Sequence, residues 1–332
     1  MKGKIIISTI VLAIIVVGIF MLQSNTEKKI IGKPLRVTLH LWPGYYHSFI
    51  AQEQGFFRDE GVNLELTLIE DVDANLKAFV DGRADAAFGL QSDAMLLFAQ
   101  GVELKIVYIA DFSNGGDVVI SKPDIQTVSE LRGKTVSVDK LNSFNHIFLA
   151  ELLRLNGLTE SDVNIVPVKA RDVPAALAAG KIDAGQTWEP YKSKALAQGY
   201  RLLATSADAP GIITDVLMVK KDVIEQREED VRGFVKALFK ALEFRESSPN
   251  ISYAIMADAT NVPPGILRDT IQSGNIFPNL EENKQAFRKT EQPISLYKSG
   301  EIISKFFLEK GIIKNPINLN LVHGSEIVNG IK

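Results

Sequence analysis

The 332-residue sequence contains no cysteine and only four histidines. The absence of cysteine excludes a disulfide framework, a Cys-ligated zinc or iron–sulfur site, a cysteine nucleophile and the lipid-bearing cysteine of a bacterial lipoprotein. So few histidines also argue against a catalytic metal site, and the sequence predicts neither a metal nor a cofactor. An excess of positive charge is missing too. The 37 basic and 40 acidic residues give a net charge of −3, which argues against nucleic acid as a partner.

What the sequence does contain is typical of globular proteins. Hydrophobic residues make up 46% and charged residues 23% of a chain long enough for about two domains. Two cores of that size need no disulfide or metal to be stable. The composition therefore predicts a folded protein without extended disorder.

One apolar run stands at the amino terminus. Lys2 and Lys4 precede Ile5–Leu22, whose eighteen residues are just long enough to cross a hydrocarbon core of about 30 Å. The lysines should stay in the cytoplasm, which places the chain after Gln23 in the periplasm or on the outer face of the membrane. We predict that residues 1–29 form a signal anchor and polar spacer. A cleaved signal peptide is the alternative, although the run ends in a poor cleavage site.

The middle of the sequence alternates short β-branched segments with helical patterns, which indicates α/β architecture built from parallel βαβ units. The predicted strands are Leu35–His40, Val62–Ile69, Ala84–Gly89, Leu104–Asp111, Thr135–Val138, Val163–Val168, Ile182–Thr187 and Ile213–Val219. The predicted helices between them are Ser48–Phe57, Ala74–Val80, Ala94–Gln100, Phe144–Asn156, Val173–Ala179 and Tyr191–Gln198.

Beyond about Asp222 the pattern predicts helices without interleaved strands, followed by an extended tail over Asn315–His323 that packs on the first lobe. The predicted helices are Glu228–Ser247, Asn250–Asp258, Pro264–Ser273, Gln285–Glu291 and Ile294–Lys310. Large apolar side chains at helical spacing in this region predict core packing: Phe234, Leu238, Leu242, Phe306 and Phe307.

The sequence also matches itself at an offset of about 100 residues. The segment Phe79–Ala87 and the segment Leu177–Gly185 share the order helix end, Gly, basic residue, apolar residue, Asp. Val37–His40 matches Val136–Asp139 at nearly the same offset. These matches predict two lobes of similar construction.

Ligands of α/β sheets bind outside the carboxyl ends of the strands, and that rule selects the candidate binding residues. In the first lobe they are Trp42, Tyr45, Gln91, Ser92, Asp93, Asp111, Ser113 and, near the return of the chain, Asp215. In the second lobe they are Ser143, Phe144, Asn145, Trp188, Glu189 and Tyr191. Each lobe contributes one of the two tryptophans, as expected of a cleft for a small molecule. The tryptophans could instead plug lobe edges, and Ser92 and Ser143 could act as helix N-caps.

Several motifs together resemble a known family. These are Trp42–Tyr45, Ala51–Val62, Gly82–Asp85, Leu131–Val136 and Trp188–Tyr191. In this order they are similar to the nitrate/sulfonate/taurine class of ABC-importer substrate-binding proteins. That superfamily also contains thiamine-pyrimidine binding and synthesising proteins. The resemblance runs from about Leu35 to Leu308.

The resemblance implies a two-lobed periplasmic-binding-protein-like fold of type II, preceded here by the N-terminal helix. Lobe one would be residues 35–115 with 216–332 and lobe two residues 117–211, with hinge crossings near Gly115–Val118 and Gly211–Val216. The lobes would close on a solute and present it to ABC permease subunits, without catalysis. A monomer, tethered to the membrane by Ile5–Leu22, is expected.

The ligand stays open between a sulfonate or taurine-like solute, nitrate and an aminopyrimidine. Asp93, Asp111, Asp215 and Glu189 would repel an anion, and the nearest basic residues are Lys140 and Lys192. A solute with an ammonium group, or an aminopyrimidine stacked on the tryptophans, fits this charge better. Two other functions compete with transport. One is a pyrimidine-forming enzyme that consumes His40, and the other is a membrane-tethered solute sensor.

Overall fold

The computed structural model describes residues 32–332. The predicted membrane helix over Ile5–Leu22 and the polar spacer up to residue 29 lie outside these residues. Among the helices of residues 32–332, none is both long and apolar enough to cross a membrane.

Eleven strands of the described chain form two sheets. The first sheet has the order β11-β4-β10-β3-β1-β2 and the second the order β7-β6-β8-β5-β9. The strands of the first sheet are β1 (Leu35–Leu39), β2 (Leu64–Leu68), β3 (Ala86–Leu90), β4 (Leu104–Ser113), β10 (Thr214–Lys220) and β11 (Asn275–Ile276). Those of the second are β5 (Val118–Ser121), β6 (Thr135–Val138), β7 (Asn164–Pro167), β8 (Ala184–Thr187) and β9 (Arg201–Thr205).

The two sheets are built alike, as the internal matches in the sequence predict. Three parallel strands stand side by side in each, β2-β1-β3 in one and β7-β6-β8 in the other. The next strand in each sheet is antiparallel to its neighbours and is the strand that arrives from the other sheet, β10 in the first and β5 in the second. The fold is therefore α/β and two-lobed, but the expectation of purely parallel units is wrong. Strands β5 and β9 are absent from the sequence prediction.

Fourteen helices of the described residues cover and connect these sheets. They are α1 (His47–Glu53), α2 (Phe56–Asp59), α3 (Val72–Val80), α4 (Gln91–Ala99), α5 (Phe144–Leu155), α6 (Val173–Ala178), α7 (Tyr191–Ala197), α8 (Lys221–Ser247), α9 (Pro249–Thr260), α10 (Pro264–Gln272), α11 (Leu280–Ala286), α12 (Leu296–Glu309), α13 (Leu319–Val322) and α14 (Ser325–Asn329).

Three helix predictions need correction. The single helix Ser48–Phe57 is divided because Gly55 adopts a φ of 75°, which ends α1 and begins α2. The helix Gln285–Glu291 is wrong, since Asn279 caps α11 and exchanges hydrogen bonds with Glu282 over 2.8 and 3.0 Å. The tail is not fully extended, because Asn318 caps the short helix α13.

The region after Asp222 also contains a strand, contrary to prediction. Strand β11 pairs with Phe112 and Ser113 at the edge of the first sheet. The prediction that the tail lies on the first lobe is confirmed, since His323 forms a bridge with Ile106 of β4. The predicted core residues are all buried: Phe234, Leu238, Leu242, Phe306 and Phe307. Phe234 stacks on Phe57 with ring centroids 4.8 Å apart and thereby fixes α8 against the first lobe.

The chain passes between the sheets twice. It leaves the first sheet after Ser113 and enters the second at Val118, then leaves at Thr205 and returns at Thr214. In the return segment Gly211 has a φ of +82°, and a Cβ there would lie 2.0 Å from the carbonyl oxygen of Pro293. Glycine is thus required both by the backbone angle and by the close approach.

We predict that Gly211→Ala lowers the free energy of unfolding by about 2–4 kcal/mol, since it adds a backbone clash to the strain of a positive φ. Gly199 is the matched control, because it has a φ of +87° and open space around it. Gly199→Ala should cost only the strain of about 1 kcal/mol. Urea unfolding of both variants measures the difference. Equal losses would contradict the close approach at Gly211.

Candidate functional site

The carboxyl end of the first sheet carries two aspartates side by side. Asp111 on β4 and Asp215 on β10 are register partners, and both are buried. The Trp42 indole Nε1 donates a hydrogen bond to Asp111 Oδ2 over 2.9 Å. The Tyr45 hydroxyl donates to Asp215 Oδ1. Four predicted site residues therefore lie together. Each of the two aromatic side chains donates a hydrogen bond to one of the two carboxylates.

The segment after β1 brings these aromatic residues into place. Pro43 starts a single 3₁₀ turn over Pro43–Tyr45 as soon as β1 ends, so Tyr45 turns back over the sheet. Its ring stacks on Phe88 at 4.9 Å. A Cβ on Gly44 would lie 1.7 Å from Asp111 Oδ2, so only glycine allows the turn to approach that carboxylate. His40 packs edge-on against Tyr45 at 5.0 Å, and burial lowers its pKa to about 4.

Helix α4 begins directly at the end of β3 and holds three predicted residues. The carboxamide of Gln91 donates to the Leu296 carbonyl over 2.7 Å and accepts from the Ser299 hydroxyl over 2.7 Å. Both its polar ends are thus used to attach α12. Ser92 is buried and its hydroxyl has no hydrogen-bond partner. Asp93 accepts from the Leu90 amide over 3.3 Å.

A third buried aspartate, Asp117, lies in the first crossing between the sheets. It accepts a 2.7 Å hydrogen bond from the Ser113 hydroxyl and a 3.2 Å bond from the Gln186 amide. The Ser206 hydroxyl, in the second crossing, is 2.9 Å from that of Ser113, and the Ser206 amide donates to the Asp117 carbonyl over 2.8 Å. Hydrogen bonds therefore join the two crossings to each other and to the carboxylates.

We call Asp93, Asp111, Asp117 and Asp215 the aspartate cluster. Burial raises the pKa of Asp111 to about 7 and the pKa values of Asp93 and Asp117 to about 6. Burial, reinforced by the charge of Asp111, raises the pKa of Asp215 well above its ordinary value. The Trp42 indole and the charge of Arg245 only partly oppose this at Asp111. The cluster is therefore short of positive charge and binds protons more tightly than exposed aspartates do.

In the second lobe, the start of α5 holds three predicted residues. The Ser143 hydroxyl lies 2.7 Å from the Lys140 carbonyl and 2.9 Å from Asn145 Oδ1. Asn145 is buried and its Nδ2 has no hydrogen-bond partner. Phe144 is half-buried and packs against the core. This helix start thus offers an amide donor that the described protein atoms leave unused.

The loop after β8 holds the other tryptophan. Trp188, Glu189 and Tyr191 are half-buried. Glu189 forms a 2.8 Å salt bridge with Lys192. Although burial favours the neutral acid, hydrogen bonds from Lys192 and Ser193 hold the pKa of Glu189 below its ordinary value. Glu189 is thus neutralised within its own loop, unlike the aspartate cluster. Among the described residues no ring contact joins Trp188 to Trp42, so their meeting across a cleft stays a prediction.

The predicted binding residues do not include Asp117, Gln186 and Ser206. Asp117 and Ser206 lie in the crossings, and Gln186 lies inside β8 beside the incoming strand β5. A polar residue within a buried strand is the one sequence signal that identifies Gln186. The two lobes also touch through an ion pair of Lys310 with Glu160 at 2.8 Å and through the rings of His146 and Phe306 at 5.1 Å.

Several buried polar atoms of the strand ends lack partners, and they indicate what the site can bind. They are Asp111 Oδ1, Ser92 Oγ, Asn145 Nδ2 and Gln186 Oε1. Leaving such atoms unbonded costs about 1–3 kcal/mol each, which a ligand can recover. Acceptors dominate near the aspartate cluster, so it favours a cation or an N–H donor. In residues 32–332, no group of three or more His, Asp or Glu side chains is arranged to hold a metal ion.

A family model described as NMT1/THI5 like matches residues 42–251, well over half of the chain. The matched stretch covers both crossings and every site residue named above from Trp42 to Asp215. It also extends into α8.

Individual relatives and solved structures are similar to this chain at sequence identities of 17% to 26%. The chain is 26% identical over 222 residues to the "Putative aliphatic sulfonates-binding protein" of Escherichia coli (strain K12), covering 65% of this chain and 69% of that protein. The crystal structure of the periplasmic aliphatic sulphonate binding protein SsuA from Escherichia coli has a TM-score of 0.70 at 18% identity, covering 89% of this chain and 92% of that one. The desulfurization enzyme DSZB has a TM-score of 0.62 at 17% identity, covering 89% and 98%. Binding proteins and an enzyme thus share this fold.

The raised pKa of Asp111 predicts a specific pH dependence. An unfolded aspartate loses its proton near pH 4, whereas folded Asp111 keeps it to about pH 7, so its contribution to stability is complete below pH 4 and is lost as pH rises to 7. The Asp111→Asn variant has no carboxyl proton to lose at this position. Its free energy of unfolding should therefore rise relative to that of the wild type between pH 4 and pH 7. The difference should reach at most about 4 kcal/mol. Urea unfolding across this range measures it, with exposed Asp124→Asn as the control. A difference independent of pH would contradict a raised pKa.

Proposed function

The chain belongs to the NMT1/THI5-like family, and from this we propose that it is the extracytoplasmic solute-binding component of an ABC importer. Three observations support the proposal. The chain has the two-lobed fold of SsuA, one relative is named as a sulfonate-binding protein, and the aspartate cluster lies beside the two crossings between the lobes. The apolar run Ile5–Leu22 supports export, with the chain tethered outside the membrane.

Delivery of the solute would depend on relative movement of the lobes. We assign lobe one to residues 35–115 with 216–332 and lobe two to residues 117–211, with hinges at the two crossings. Closing would enclose the solute between the strand ends and form one surface for the permease, and no bond would be made or broken. A solute favours the closed form only as far as it binds that form more tightly.

We propose further that the solute presents an ammonium group or an amino-pyrimidine N–H to the aspartate cluster. The observation that carries this is Asp111, whose Oδ1 is buried without a partner while its Oδ2 accepts from Trp42. The two basic residues that lie nearest the candidate loops in the sequence are paired elsewhere, Lys192 with Glu189 and Lys140 with Asp73, and Arg245 only partly offsets the burial of Asp111. Above about pH 7, where Asp111 is ionised, a purely anionic solute such as nitrate would meet like charge there. A taurine-like solute would place its ammonium group at Asp111.

An enzyme that forms a pyrimidine from His40 is the second candidate. Its support is that His40 Nε2 is buried without a hydrogen-bond partner and that its low pKa keeps the ring neutral. Against it, the aspartate cluster rather than His40 concentrates the unsatisfied polar groups. Peptide mass spectrometry after incubation with pyridoxal phosphate decides the matter. The importer proposal predicts unmodified His40, and loss of imidazole atoms from His40 would favour the enzyme.

Calorimetric titration with matched solutes tests the ligand proposal. Taurine and isethionate differ only in an ammonium group replaced by a hydroxyl, and 4-amino-5-hydroxymethyl-2-methylpyrimidine supplies the uncharged N–H donor. We expect taurine or the aminopyrimidine to bind at least about tenfold more tightly than isethionate or nitrate, since a bond to a charged acceptor contributes about 1.5–3 kcal/mol.

The protein variants give the control. Asp111→Asn should weaken binding of the preferred amine about tenfold or more, whereas Asp124→Asn on the surface should leave it unchanged. Nitrate or isethionate binding as tightly as the amines, with Asp111→Asn strengthening it, would contradict the cation-accepting site.

A further inference from the structure

A cavity of about 570 Å³ lies in the first lobe, and none of its lining residues belongs to the aspartate cluster. Its walls come from the end of α8, from α9 and α10, and from the segment that carries β11. The lining residues that matter here are Arg245, Glu246, Asn250, Tyr253, Arg268 and Phe277. None of them belongs to the second lobe or to the predicted binding set. The cavity is therefore a separate feature of lobe one.

Two arginines of this cavity form no salt bridge within residues 32–332, although the charges of Glu246 and Asp111 act on Arg245. Among the described residues, neither Arg245 nor Arg268 forms a salt bridge, whereas most other arginines there do. The Arg245 guanidinium lies 4.3 Å over the Phe277 ring, and its Nη1 is buried without a hydrogen-bond partner. The Arg268 guanidinium lies 5.3 Å from the Tyr253 ring and donates only to Asn250, over 3.0 Å.

The aromatic rings hold these guanidinium groups without neutralising them. Stacking on Phe277 fixes the plane of Arg245, and burial lowers its pKa without removing its charge. Of the ten residues that line the cavity, Glu246 is the one acid, and it is exposed to solvent. A buried, charged donor without an acceptor costs more than a neutral one, so an anion that reached Arg245 would recover that cost.

We propose that this cavity binds a small soluble oxyanion, either a carboxylate or a phosphate. Planar guanidinium groups match the paired oxygens of both anions, and two of them on one cavity provide the charge. The volume exceeds that of inorganic phosphate and accommodates a small organic acid. This anion site uses other residues than the aspartate cluster, which selects the opposite charge, although the charges of Arg245 and Asp111 act on each other.

Calorimetric titration of the purified chain with inorganic phosphate and with citrate at low ionic strength tests the proposal. We expect saturable binding of at least one of them at a single site, weakening as salt is added. Arg268→Gln should weaken it about tenfold, since Arg268 is exposed and its replacement leaves the core intact. Arg268→Lys keeps the positive charge but loses the paired N–H donors of the guanidinium. Its affinity for the anion should therefore lie between those of the wild type and Arg268→Gln. Arg201→Gln is the matched control, because Arg201 is an exposed arginine of the second lobe.

Arg245→Gln is the second variant, checked for folding by circular dichroism, and it should abolish the binding. Absence of saturable binding by both anions would overturn the proposal, as would binding that neither Arg268→Gln nor Arg245→Gln weakens. Phosphate binding that Asp111→Asn strengthens while Arg268→Gln leaves it unchanged would place the anion at the aspartate cluster and would overturn it too.

Discussion

The candidate site depends most on the burial of carboxylates whose charge Arg245 only partly offsets. Asp111 and Asp215 lie opposite each other on neighbouring strands, and within residues 32–332 their carboxylates accept side-chain hydrogen bonds only from Trp42 and Tyr45. Desolvation and mutual repulsion raise their pKa values. The glycine turn at Gly44 exists because the indole must come this close to a carboxylate. A folded protein keeps such a costly arrangement where a ligand offsets the cost.

The position of the cluster connects this charge to movement of the lobes. Asp117 and Ser206 lie in different crossings and are joined by a backbone hydrogen bond, and the Ser113 hydroxyl contacts both the Asp117 carboxylate and the Ser206 hydroxyl. A donor bound at Asp111 would therefore act next to the segments about which we propose the lobes rotate. The same fold carries sulfonate binding in SsuA, which shows that the fold leaves the charge of the ligand open. That charge is decided by the side chains at the strand ends.

Sequence patterns predict what depends on local structure. The carboxyl-end rule selects Trp42, Tyr45, Asp111 and Asp215, which the structure brings together, because a strand end fixes where the next residues lie. The same rule cannot show that Gln91 is bonded to Leu296, 205 residues away.

Asp117 and Ser206 belong to the site only because strand β5 inserts antiparallel between β8 and β9. That pairing joins strands that are far apart in the sequence, and hydrophobic periodicity carries no information about it. The shifted helix α11 is a different case, since the capping residues Asn279 and Glu282 could have located its start.

A crystal structure with the tightest-binding amine of the titration series would show what the aspartate cluster binds. We expect an N–H donor of the solute about 3 Å from Asp111 Oδ1, between the two lobes. An anionic oxygen at that position, or a solute bound away from the aspartate cluster, would contradict it.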